Sequence, residues 1–170
     1  MVVDWCLQVG AHVIGIDAPC RWSSTGRARN AERDLAHARI FAFATPSRER
    51  AEGHAFYRWM LNGAQLFNLI EQHYPLFDGS IKVSGPVCFE TFPQAAACAL
   101  AGEIVSAKQK GTVRRKLLHQ AGIDTAELSN IDVVDAALCA LTALNVQMGS
   151  FKSYGDAKEG FILVPSVIVV

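Results

Sequence analysis

Four carboxylates stand where an ionised acid is costly, and their placement is the first chemical signal in the chain. Asp17 closes the apolar run at residues 12–17 (HVIGID), and Glu90 lies inside a second run at 86–92 (PVCFETF). Asp135 sits one turn after Asp132 in residues 131–147 (IDVVDAALCALTALNVQ). An acid without compensation in such surroundings is strongly disfavoured, so each needs a cation, a metal or hydrogen-bond donors. Residues three apart share a helix face, so Asp132 and Asp135 can reach one ion. Plainer roles exist for two of the four. Asp132 falls in a first helical turn after Ser129-Asn130, where an acid suits the cap and the dipole, and Asp17 before Ala18-Pro19 can close a turn. Asp135 has no such alternative. Carboxylates gathered without His or Cys suit an oxygen-preferring cation, Mg²⁺ or Mn²⁺ rather than Zn²⁺. Two such ions about 4 Å apart activate a water and stabilise the leaving oxygen of a phosphodiester.

The cationic complement is local. Residues 104–123 carry no acid, while Lys108, Lys110, Arg114, Arg115 and Lys116 cluster there, either to hold phosphate or as a solvated helix face. A second basic group, Arg21, Arg27, Arg29 and Arg33, follows Asp17 and is open to the same two readings. Over the whole chain 16 Lys and Arg balance 16 Asp and Glu, so net charge points to no polyanionic partner. The five cysteines are scattered among apolar neighbours without a Cys-x-x-Cys pair, the usage of reduced, buried thiols in a reducing compartment, here the cytoplasm. The five histidines are dispersed and give no zinc spacing. No run of about 18 apolar residues marks a membrane span, and the first residues do not read as a signal peptide.

The elements that must position these groups alternate between strand and helix. At 170 residues, 51% hydrophobic and 19% charged, the chain has the size and composition of one globular domain. Residues 1–10 read as the end of a helix. Residues 12–17 and 86–92 read as strands buried on both faces, and 160–164 (GFILV) as a last strand that 166–170 can extend. The charged stretch 27–39 and the stretch 52–72, with Phe56, Met60, Phe67 and Ile70 at helical spacing, read as helices separated by a turn at Thr45-Pro46-Ser47. Residues 75–85 are turn-rich. Residues 112–121 form a basic helix stopped by Gly122, and 131–147 a helix apolar nearly all round, expected to be buried. Alternating strands and helices define an α/β layer fold.

Several segments together resemble a family of uncharacterised prokaryotic proteins described as predicted nucleases of the ribonuclease H fold. They are GIDAP at 15–19, TPS at 45–47, YRWMLNGAQLF at 57–67, FETFPQA at 89–95, KQKGTVRR at 108–115, NIDVVDAALCALTA at 130–143 and GDAKEGFILVP at 155–165. The resemblance spans nearly the whole chain and rests on order and spacing rather than on one motif. It implies a ribonuclease-H-like mixed sheet flanked by helices, with a divalent-metal site. In the resolvase branch of that superfamily the last helix bears two acids three apart, as Asp132 and Asp135 are, and an acid ends the fourth strand, as Asp17 does. Glu90 is the family's own acid. Family members begin with three further strands and a helix, the first strand carrying a Gly-x-Asp; this chain starts about where that helix ends, so the resemblance implies a single domain, residues 1–170, lacking the first three strands.

The expectation is a Mg²⁺- or Mn²⁺-dependent phosphodiester hydrolase acting on nucleic acid. Asp17, Glu90, Asp132 and Asp135 are the catalytic acids, with Asp17, Asp132 and Asp135 the metal ligands. Lys108, Lys110, Arg114, Arg115 and Arg27 are the substrate contacts. A binding or regulatory protein that keeps the fold without catalysis is the rival, and phosphoryl transfer to a small molecule a third reading, weakened by the lack of a Gly-rich phosphate loop. With no upstream strand beside residues 12–17, that open edge would make the chain poorly soluble or self-associating unless residues 166–170 cover it, and without the Gly-x-Asp carboxylate the 170 residues would show little or no nuclease activity.

Overall fold

The computed structural model describes residues 2–166. Four strands form one mixed sheet: β1 (Val13–Ile16), β2 (Val87–Thr91), β3 (Phe151–Asp156) and β4 (Gly160–Pro165), in the order β1-β2-β4-β3. The first three neighbours in that order run parallel, with Ile16 beside Glu90 and Glu90 beside Ile162, and β3 is antiparallel to β4. Among the described residues seven helices surround the sheet: α1 (Val2–Gln8), α2 (Asn30–His37), α3 (Arg48–Glu52), α4 (Arg58–Ile70), α5 (Pro93–Ala101), α6 (Lys110–Gln120) and α7 (Ile131–Gln147). The α/β class is as expected, and its mixed, helix-flanked sheet is consistent with a ribonuclease-H-like arrangement. Among the described residues β1 is an edge strand paired only with β2.

Strand alternation divides the core into two layers. Val13, Val87, Phe89 and Leu163 face α7, where they pack with Ala143 and Val146. Ile14, Ile16 and Cys88 face the other way, onto Phe67 and Ile70 of α4 and Cys6 of α1, while Ile162 and Val164 meet Ala31 and Leu35 of α2. Gly15 lets α7 cross β1 closely, since a Cβ there would stand 2.8 Å from the Cys139 carbonyl oxygen. All five cysteines are free, buried thiols.

Two elements depart from the sequence reading. Pro93 does end β2, but it also opens α5 at its first turn, where the missing N–H costs nothing, and Gly102 stops the helix in the left-handed region with φ 70°. The Ala-rich stretch between them has no amphipathic period to announce it. β3 (FKSYGD) is a half-exposed edge strand without apolar alternation, so its pairing is settled by the hairpin with β4. Residues 52–72 are also not one helix: α3, a short 3₁₀ turn at Ala55–Tyr57 and α4 divide them. Burial of α7 is one-sided. Val134, Leu138 and Leu141 are buried, whereas Val133, Ala136, Ala140 and Leu144 form an exposed apolar stripe. Ser166 donates to the Ser150 carbonyl at 2.9 Å. The rest of the expected terminal extension lies outside the described residues.

Candidate active site

The carboxyl ends of parallel strands are where open α/β sheets place their ligands, and Asp17, directly after β1, stands there. The Asp17 carboxyl is reachable by water yet crowded by the concave surface around it. Burial pushes its pKa from the ordinary 3.8 up to about 6, the negative charges of Asp135 and Glu90 push the same way, and Arg114 and Lys110 pull it down. Among the described residues the Asp17 side chain has no hydrogen-bond or ion-pair partner.

Asp135 is held differently. Arg114, from α6, donates through one terminal nitrogen to Asp135 and through the other to the Gln94 side chain, at 3.1 Å, in α5. Helices α5, α6 and α7 are packed together by Ala97, Leu118, Val134 and Leu138, which fixes this junction. The Arg114 Nε is buried without a partner. Arg114, expected as a substrate contact, is turned inward and bonded to Asp135 and Gln94. Arg115 is likewise occupied, donating to the carbonyls of Thr125 and Leu128 and bracing the loop before α7. Lys108, Lys110 and Arg27 are exposed, as a phosphate contact requires.

Glu90, expected as a catalytic acid, is bonded differently from Asp17. Because Phe89 and Thr91 face α7, Glu90 points to the opposite layer, where it is 4% exposed and fully engaged. Arg29 meets it in a bidentate pair of 2.7 and 2.8 Å, and the Cys20 amide donates to it at 2.8 Å. Arg29 also donates from Nε to Glu32 at 2.8 Å and to the Glu159 carbonyl at 3.2 Å, and Glu32 accepts from the amide and hydroxyl of Thr45. Burial alone would lower the Arg29 pKa, but Glu90 and Glu32 hold it above its ordinary value. Glu90 is thus neutralised by protein groups and has the bonding of a structural acid. Of the second basic group, Arg21 pairs with Glu71 and Arg33 folds back onto Ala28 and Asn30, so neither is left over.

Asp132 is exposed in the first turn of α7, where Asn130 rather than Asp132 supplies the cap by accepting from the Val133 amide at 3.0 Å. Among the described residues no three His, Cys, Asp or Glu side chains are gathered as a metal-binding group. Of the expected acids, Asp17 and Glu90 line one cleft, whereas Asp135 bears on Asp17 through its charge, as Arg114 and Lys110 do in the opposite sense. Carboxylates such as Asp17 and Asp135 have the donor chemistry of Mg²⁺ or Mn²⁺, which take one or two carboxylates and fill the remaining positions with water and phosphate oxygens. Asp132 is the only other acid on α7.

A cleft of about 300 Å³ opens beside Asp17, walled by Phe43, Trp59, Thr91 and Phe92, with Glu90 and Glu32 also in its lining. Phe43 and Trp59 had no place in the sequence reading of the site. Trp59 sits one turn before Gly63 on α4, and Gly63 packs so tightly on the Asp17–Pro19 turn that a Cβ would stand 2.4 Å from the Ala18 Cβ. The aromatic spacing of α4 resembles that of an ordinary core helix, and a glycine at a close approach is the only sequence trace of this arrangement.

The fold and site together define a mixed α/β protein with a carboxylate, Asp17, at the carboxyl end of its first parallel strand. The chain belongs to a family described as protein of unknown function, DUF429, whose model matches residues 2–159. No curated protein and no solved structure matches it. Among the described residues no helix is long and apolar enough to cross a membrane.

Proposed function

We propose that this chain is a phosphodiester hydrolase acting on nucleic acid with Mg²⁺ or Mn²⁺, and that Asp17 and Asp135 are the residues that hold the cation. The observation that carries this reading is Asp17, a carboxylate at a strand end with no hydrogen-bond or ion-pair partner among the described residues, whose charged form burial and the charge of Asp135 disfavour and a divalent cation would favour. Such an ion, when bound, supplies an activated water and charge neutralisation at the phosphate. The chain's own contribution is positional. Arg114 and Gln94 fix the orientation of Asp135, β1 and the Ala18-Pro19 turn fix Asp17, and exposed Lys110 and Lys108 attract the phosphate backbone. Asp132 is at hand as a further carboxylate. Glu90 stays outside the chemistry and anchors Arg29.

A labelled oligonucleotide incubated with the full chain tests the reading. Cleavage is expected with Mg²⁺ or Mn²⁺ and not in EDTA, and Asp17→Asn or Asp135→Asn should slow it by about 100-fold or more. Wild-type rates in a folded Asp17→Asn variant would overturn the assignment.

A further inference from the structure

Phe43, Phe56 and Trp59 form an aromatic cluster that the fold keeps in solvent. Their exposures are 68%, 49% and 41%, large for rings of this size. Phe43 meets Phe56 edge-on at 5.6 Å and Trp59 at 6.3 Å, with interplanar angles of 70° and 63°. An edge-to-face contact of this kind fixes two rings while covering a single face between them. The anchors are equally specific. The extended segment that carries Phe43 is pinned by buried Ile40 on one side and by Thr45 on the other, whose amide and hydroxyl both donate to buried Glu32. Trp59 is pinned from its own helix, since Gly63 on the same face seats α4 against the Asp17–Pro19 turn. Phe43 and Trp59 therefore wall the same cleft as Asp17.

A cleft with aromatic walls and Asp17 in its lining fits a ligand that is planar at one end and, where Asp17 holds a cation, phosphorylated at the other. From this we infer that the cleft receives one unpaired nucleobase of the substrate strand, against Phe43 and Trp59, with its phosphate toward Asp17. A base inside a duplex has both faces stacked and cannot enter, so the site selects single-stranded or extruded nucleotides over intact duplex. This deepens the phosphodiesterase reading and rests on it for the direction in which the strand runs. It also gives Phe43 and Trp59 a role that core packing does not require of them.

The test compares three labelled probes in EDTA, where no cleavage occurs: a short oligothymidine, the same strand with abasic residues, and a duplex of equal length. Fluorescence anisotropy should show the base-bearing strand binding about tenfold more tightly than the abasic one, with the duplex behaving like the abasic strand. Phe43→Ala and Trp59→Ala should each remove most of that preference, and Phe43→Trp should retain it. Equal binding of base-bearing and abasic strands, no binding of either, or an unchanged preference in both alanine variants would overturn the inference. Cleavage of the same strand in Mn²⁺ reports separately. Cleavage without base preference sinks the base site and leaves the hydrolase reading, whereas base preference without cleavage sinks the hydrolase reading and leaves the base site.

Discussion

Arg29 and Arg114 are both buried guanidiniums paired with acids near the carboxyl end of the sheet, yet their surroundings differ atom by atom. Arg29 spends Nε on Glu32 and its terminal nitrogens on Glu90 and the Glu159 carbonyl, and the acids it meets have further donors from Cys20 and Thr45. Arg114 reaches Asp135 and Gln94, its Nε is left over, and Asp17 beside it has no partner among the described residues. Buried polar groups are normally satisfied, so an incomplete network at a strand end needs an explanation. The same two residue types thus build a closed network around Glu90 and an open one around Asp135.

The comparison is broken first by removing each arginine. Arg29→Met leaves Glu90 and Glu32 buried without compensation and should cost about 4 kcal/mol or prevent folding. Arg114→Met leaves only the partly exposed Asp135 without its partner and should cost about 2 kcal/mol. Chemical denaturation of both variants checks the ranking, and equal losses would erase the distinction between the two clusters.

Asp17 sharpens the comparison through pH. Its folded pKa of about 6 lies above the ordinary 3.8, so the fold disfavours the ionised form. The wild type is free of that penalty below about pH 4, acquires it as pH rises, and carries all of it above about 6. Asp17→Asn should therefore raise the melting temperature above pH 6, with the gain fading as pH falls toward 4. A gain independent of pH would mean that crowding, not charge, sets the Asp17 environment.

The smallest effect is expected at the surface. Lys108→Ala and Lys110→Ala should each change stability by less than about 0.5 kcal/mol. In the proposed role they reduce the salt dependence of oligonucleotide binding, and an unchanged salt slope would assign both to a solvated helix end.

The sequence made the strands that carry Asp17 and Glu90, and α7 with Asp132 and Asp135, readable, because each is a run of strong apolar or helical character. It misled where one residue type serves two ends. Glu90 has the same pattern signature as Asp17, an acid in an apolar strand, and only its facing partner Arg29, 61 residues away, makes it structural. Arg114 reads as one cation among several, and its inward turn depends on packing between α5, α6 and α7. Phe43 and Trp59 were out of reach for a similar reason, since an exposed aromatic and a core aromatic differ by the surface they face and not by their spacing.

The most direct test of an open Asp17–Asp135 site beside a closed Glu90 network is carboxyl-carbon NMR of the full chain, titrated with pH and then with Mg²⁺. The Asp17 signal should titrate near pH 6, and Mg²⁺ should shift it and lower that midpoint while leaving the Glu90 signal in place. An Asp17 midpoint near 4 that Mg²⁺ does not move, or a Glu90 signal that responds to Mg²⁺ as strongly as Asp17, would contradict it.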